Sequence, residues 1–170
     1  KQPQWVPNVS MINNMSAIRF DGTEVMSAGD TLDLGFNSRS IFLIAKANNP
    51  LSGQRFFSKS LAANAPKRFS FGYTGSGTLN VLYHGVSSTG ISLTGTSDYV
   101  LNTISLERST SGGTGKLFSG GIQIGNSFSI NTSTYNFNSS FRFLIGAYND
   151  ALDIGEISYL DGDVPEIIMY

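Results

Sequence analysis

Cysteine is absent from the 170 residues, which excludes disulfide staples and thiolate metal sites together. Charge is scarce. Only 14% of the residues are ionised, and Lys+Arg 11 against Asp+Glu 12 leaves a net charge of -1. A chain so balanced has no basic footprint for DNA or RNA, so nucleic acid is not an expected partner. No apolar run approaches the length of a membrane span and no signal-peptide pattern is present, so membrane insertion is not expected either. Nowhere do apolar residues recur at i, i+3, i+4 and i+7 over eleven residues, which removes helices from the expected architecture.

What replaces charge is 19 glycines with abundant Ser, Thr and Asn, a mixture suited to short strands joined by many turns. A length of 170 residues suits one domain over 1–170, with a core large enough to stand without a staple. The chain opens on Lys1 rather than Met and closes on an apolar strand, so it is expected to be a module of a longer polypeptide.

Residues 1–16, with Trp5, Val6, Met11 and Met15, read as an extended lead-in that packs a few apolar side chains. Ala17–Phe20 is a strand closed by Asp21-Gly22, and Glu24–Ser27 returns. Ile41–Lys46 is apolar on both faces, the mark of a central strand. Gln54–Lys59 is another strand. Lys67–Tyr73 places Phe69, Phe71 and Tyr73 inward and pairs across Gly75-Ser76-Gly77 with Thr78–His84, the strongest hairpin signal in the chain. Ile91–Leu93 is a short strand. Asp98–Arg108 changes apolar phase between Leu101 and Ile104, which predicts a bulge near Asn102. Ser109–Gly115 reads as a hairpin tip, Lys116–Ser119 and Ile122–Gly125 as a hairpin about Gly120-Gly121, and Asn126–Ser140 as irregular. The closing third reads as strand, polar loop, then strands separated by an Asp161-Gly162 turn. This pattern predicts an all-β fold, an antiparallel β-sandwich of jelly-roll type.

Several stretches resemble the laminin-G-like, concanavalin A-like jelly-roll domains. Ala17-Ile18-Arg19-Phe20-Asp21-Gly22-Thr23 is similar to their opening strand, Ile41–Lys46 and Phe56-Phe57-Ser58-Lys59 to two that follow, and Asn102–Glu107 with Lys116–Gly125 to their "rlyvnGvlig" hairpin. Phe143–Asn149 resembles "lriGayn", and Tyr159–Tyr170 the closing strand. The cysteine pair of many animal laminin G modules is missing, as is the usual Trp near Ala45, which points to bacterial and phage relatives. The resemblance implies a concanavalin A-like jelly roll; a fold that hosts binding modules, enzymes and spacers does not fix the function.

The candidate chemistry is sparse. Asp161-x-Asp163-x-x-Glu166 approaches the E-x-D-x-x-E of jelly-roll glycan hydrolases, which need two carboxyls about 5–5.5 Å apart for retaining hydrolysis. Strand parity puts Glu166 on the face opposite Asp161 and Asp163 unless a bulge intervenes, so the expected reading is a turn with Glu166 pairing a nearby Arg or Lys, and no catalytic set. Asp150 and Asp153, with Asn149, offer the hard oxygens that Ca²⁺ prefers; Asp30 with Asp33, or Asp98, are alternatives. For a sugar, Tyr148 beside Asn149 and Asp150 joins an aromatic face to hydrogen-bonding groups, and Tyr83 beside His84 does the same. Trp5 reads as a packing plug, and His84 lacks the partners of a triad. Asn8, Asn14, Asn131 and Asn138 are sequons, to be used only in a eukaryotic secretory route. The expected function is non-enzymatic recognition of surface glycan, in the extracellular space, at a cell surface or on a virion. The alternatives are a structural domain binding other virion or surface protein chains, and a hydrolase.

Overall fold

The computed structural model describes residues 1–32, 37–59, 69–83, 86–87, 98–109, 112–130, 141–149 and 156–170. Period-two alternation of apolar and polar side chains gives each long strand one face to bury, and two such faces closed on each other make the core. Numbered along the chain, β1 (Gln4–Val9), β2 (Met15–Asp21), β15 (Asp161–Met169), β4 (Arg39–Ala47), β9 (Val100–Ser109), β10 (Gly112–Ser119) and β11 (Ile122–Ile130) lie in that order as a seven-stranded sheet. β3 (Met26–Ser27), β12 (Phe143–Ile145), β5 (Gln54–Lys59), β6 (Phe69–Tyr73), β7 (Leu79–Tyr83) and β8 (Val86–Ser87) form a six-stranded sheet. β13 (Tyr148–Asn149) and β14 (Glu156–Ile157) make a separate ribbon. The described pairings are antiparallel throughout. The fold is an antiparallel β-sandwich of the concanavalin A-like jelly-roll type.

β4 is central, flanked by β15 and β9, and its Ile41, Leu43 and Ala45 enter the core while Phe42 and Ile44 stay half-buried on the outer face. From the other sheet come Phe57, Phe69, Phe71 and Val81; Phe57 meets Phe69 at 5.3 Å between ring centroids and Phe143 at 5.9 Å. Each such ring contributes about 1.5–3 kcal/mol by burial, and each ring pair about 0.5–1.5 kcal/mol more. The Phe69–Tyr73 hairpin is as expected, with Phe69 opposite Tyr83 and Tyr73 opposite Leu79. So is the turn at Gly120 (φ 57) and Gly121 (φ 81), whose two positive φ values are those of a type I′ hairpin.

Four expectations give way. Residues 1–16 are not a packed lead-in: Gln4–Val9 is an edge strand paired with β2, and Trp5 is 62% exposed rather than a plug. The facing sheet starts with the two-residue β3, so no layer covers Trp5. Asn102 carries no bulge. β9 keeps unbroken register with both β4 and β10, so Leu101 turns outward (45% exposed) and the Asn102 amide turns into the core (4% exposed). Hydrogen bonds on both sides outweigh the misplaced polarity. Asp161-Gly162 is not a turn; Asp161 pairs with Asp21, and Gly162 with both Phe20 and Ala47, at the start of one continuous strand. Finally, Ser109–Gly115 is mostly ladder rather than tip, with Gly112 opposite Ser109 and Gly115 opposite Leu106, and β11 runs to Ile130 where irregular chain was expected. Ile91–Leu93 lies outside the described residues.

Candidate functional site

The ribbon sits at one end of the six-stranded sheet and is fixed there by its first residues. β12 runs beside β5, and at its end Gly146 (φ 83) donates its N–H to the Phe56 carbonyl (2.9 Å) and accepts from Leu160 N–H (2.8 Å). A Cβ at Gly146 would stand 2.4 Å from the Phe20 ring, so only glycine lets the chain turn here over the core. Ala147 accepts from the Ser58 hydroxyl (2.9 Å). Tyr148 is buried (5% exposed), and the Arg55 guanidinium lies 5.6 Å from its ring centroid. Arg55 is itself tethered, donating from Nη1 to the carbonyls of Gln54 (3.1 Å) and Tyr73 and from its backbone to Ser158 (3.1 Å). Tyr148 is therefore a clamp that holds the ribbon to the sandwich.

Beyond the clamp, Asn149 pairs with Glu156 and Tyr148 with Ile157. Asp150 and Asp153, the calcium candidates, lie outside the described residues, as do Asp33 and His84. Tyr83 lies opposite Phe69, which is opposite Lys59. Arg55, the partner of Tyr148, is four residues earlier on β5, so the two aromatic candidates belong to opposite ends of the sheet and do not share one site. Among the described residues no three His, Cys, Asp or Glu side chains group for a metal. Asp30 faces the buried Lys59 ammonium at 2.9 Å.

The carboxylates of β15 have a different arrangement from the one parity implies. The register slips between Asp163, opposite Lys46, and Glu166, opposite Ile44. That bulge, with Pro165 in it, carries Glu166 onto the same outer face as Asp163. Nor is Glu166 the carboxylate that pairs with arginine. Asp163, 2% exposed, accepts two hydrogen bonds from Arg19 (Nε, 2.7 Å; Nη2, 2.9 Å) and one from the Tyr99 hydroxyl. Burial pushes the Asp163 carboxyl up, but those bonds outweigh it and hold it below the usual carboxylate range. Burial and then Asp163 push the Tyr99 phenol up to about 12. Asp161 accepts from the Asn48 amide at 2.7 Å. With both oxygens of Asp163 committed to donors, this set is an ion-pair network that joins β2 and β15 to Tyr99, the residue leading into β9.

Sequence reasoning missed Arg55 and Arg19, since each meets its partner from a distant part of the chain. The one local signal was the Arg19-Phe20-Asp21 stretch, legible as strand but silent about what lies across it.

The two packed sheets place the chain in the class of antiparallel β-sandwiches. No protein-family model and no curated protein matches it by sequence. Solved structures do match in shape. Domain 4 of AbnA, a GH43 extracellular arabinanase from Geobacillus stearothermophilus, solved in complex with arabinotriose, superposes with a TM-score of 0.67 at 15% identity, over 100% of this chain and 75% of that one. The CBM40 of the Ruminococcus gnavus IT-sialidase gives 0.64 at 14% identity, over 91% and 89%. Tailspike protein 2 of an Escherichia coli O157:H7 bacteriophage gives 0.58 at 14% identity; there this chain corresponds to 24% of the longer protein. At these identities the likeness is one of fold. No helix among the described residues is long and apolar enough to cross a membrane.

Proposed function

We propose that this is a laminin-G-like module that recognises carbohydrate without cleaving it, one domain of an extracellular or virion-borne polypeptide. The observation that carries the reading is the clamped ribbon: Tyr148 and Arg55 fix its base to the sandwich, and the sequence that follows offers the amide and carboxylate groups of Asn149, Asp150 and Asp153. Rigid scaffolds present binding groups on such rim segments. Support comes from the company the fold keeps, an arabinotriose-bound domain and the CBM40 of a sialidase. The tailspike likeness supports a virion setting. Asp150 and Asp153 would supply hard oxygen ligands to a calcium ion ordering the tip. A single shallow site binds weakly, so the module works in many copies, where linked sites raise avidity without new contacts.

The test is a glycan array probed with the multivalent domain in Ca²⁺ and again in EDTA. Reproducible binding to one sugar class, lost on replacing residues 150–155 by a Gly-Ser turn, supports the reading; a folded domain that binds no glycan in either buffer refutes it. A second reading, a domain that binds another protein chain, is favoured by the outer face of the larger sheet. There Phe42, Ile44, Leu101, Ile168 and Tyr170, with Glu166 beside them, surround a largely apolar concavity of about 380 Å³, with Tyr170 71% exposed. Sedimentation that reveals self-association in the wild type and none in Leu101→Glu would support it.

A further inference from the structure

We infer that the open edge between the sheets is a second carbohydrate subsite, built around Trp5. This rests on the glycan-recognition reading and adds a site which the ribbon does not supply. β2 pairs with β15 only as far as Ile18 opposite Val164; past that point β15 keeps its partner β4 and the described pairing with β2 ends. Between β1, β2 and β3 lies a cleft of about 370 Å³ lined by Gln2, Trp5, Ile18, Met26 and Ser27 among others. A smaller cleft of about 200 Å³ shares Ile18 and Met26 with it and continues past Ile145 and Pro165 to Glu166. Together they match the size of small-molecule sites.

The chemistry along the groove is that of a sugar ring. One flat aromatic, 62% exposed, offers an indole face to the C–H side of a pyranose or furanose. Gln2 supplies an amide donor and acceptor. The Ser27 oxygen accepts from Gly29 N–H (3.2 Å), which leaves its O–H to donate to a ligand. Glu166 borders the far end of the smaller cleft but belongs to the outer face of the larger sheet, so the groove itself presents indole, amide and hydroxyl groups.

Trp5 is the only tryptophan, so the indole emission reports on this groove alone. The experiment titrates the domain with arabinotriose, maltotriose and, as the charged counterpart, 3'-sialyllactose, to about 10 mM, the range of weak single sites. The expected result is a saturable emission change with one of these trisaccharides that survives replacement of residues 150–155. Calorimetry should then show affinity falling about tenfold or more in Trp5→Ala with the far-UV spectrum unchanged. Unchanged emission with every sugar, while the array is positive and the ribbon replacement abolishes that binding, overturns the subsite and leaves the glycan reading standing. A blank array with a saturable Trp5 response keeps the subsite and overturns the ribbon; no response in either assay overturns both.

Discussion

Replacing Arg19 by Ala removes two charge-assisted hydrogen bonds from Asp163 and leaves it with the Tyr99 hydroxyl alone. Breaking a fully buried pair costs about 3–5 kcal/mol, whereas an exposed pair contributes about 0–1 kcal/mol. Here Asp163 is enclosed while Arg19 is half-exposed. The intermediate case predicts a loss of about 2–3 kcal/mol, because the carboxylate stays buried and loses its hydrogen-bonded countercharge, with Lys46 remaining as a nearby cation. For a chain of this length that lowers Tm by about 4–12 °C. The pH dependence follows from the depressed Asp163 pKa. A carboxyl held below its unfolded value of about 3.9 contributes stability that is present above that pH and lost as pH falls through the lower, folded value. Urea unfolding of wild type and Arg19→Ala at pH 7 and again below pH 4, with Asp163→Asn completing a double-mutant cycle, measures both parts. A difference at pH 7 below about 0.5 kcal/mol, or one that does not shrink in acid, would mean that the network is ordinary surface charge and would refute the reasoning.

Other consequences follow from single contacts. Asn102 buries an amide oxygen that has no partner, its Nδ2 donating to the Val100 carbonyl at 3.2 Å, so Asn102→Leu should stabilise the domain by about 1–3 kcal/mol in the same unfolding assay. The Tyr99 phenol, at about 12, contributes stability present below its unfolded value near 10 and lost as pH rises through 12; the ultraviolet difference titration of wild type against Tyr99→Phe should show a phenol ionising well above 10. Gly146→Ala combines a positive φ with a clash against Phe20 and should cost about 2–4 kcal/mol by thermal unfolding, with glycan binding weakened because the ribbon base is displaced.

The parts of the fold fixed by local chemistry were legible. Gly120-Gly121 specifies its turn, the alternation Phe69, Phe71, Tyr73 specifies a strand face, and the two-sided apolar run about Leu43 specifies a central position. What escaped was set by long-range register. Leu101 and Ile104 do differ in phase, yet β9 is hydrogen-bonded on both sides and keeps its pitch, so the mismatch appears as a buried amide and an exposed leucine rather than a bulge. The bulge is on β15 instead, where Pro165 cannot join a ladder, and it alone decides which face Glu166 occupies. Asp161-Gly162 has turn chemistry, but a small residue also suits a strand closely flanked on both sides. Of the candidate site, the clamp was not legible, because Arg55 meets Tyr148 only through the folded sheet, and Trp5 lies open because the layer that would cover it is two residues long.

The most direct test of glycan recognition at the ribbon is a two-dimensional amide NMR titration of the domain with the sugar class that the array selects. The account predicts that the perturbed amides cluster over Tyr148–Ile157, at the base and tip of the ribbon, and that a Gly-Ser replacement of residues 150–155 silences them. Saturable binding that leaves those amides unmoved and shifts Phe42, Leu101 and Ile168 instead would contradict it, and would assign the outer face of the larger sheet as the recognition surface.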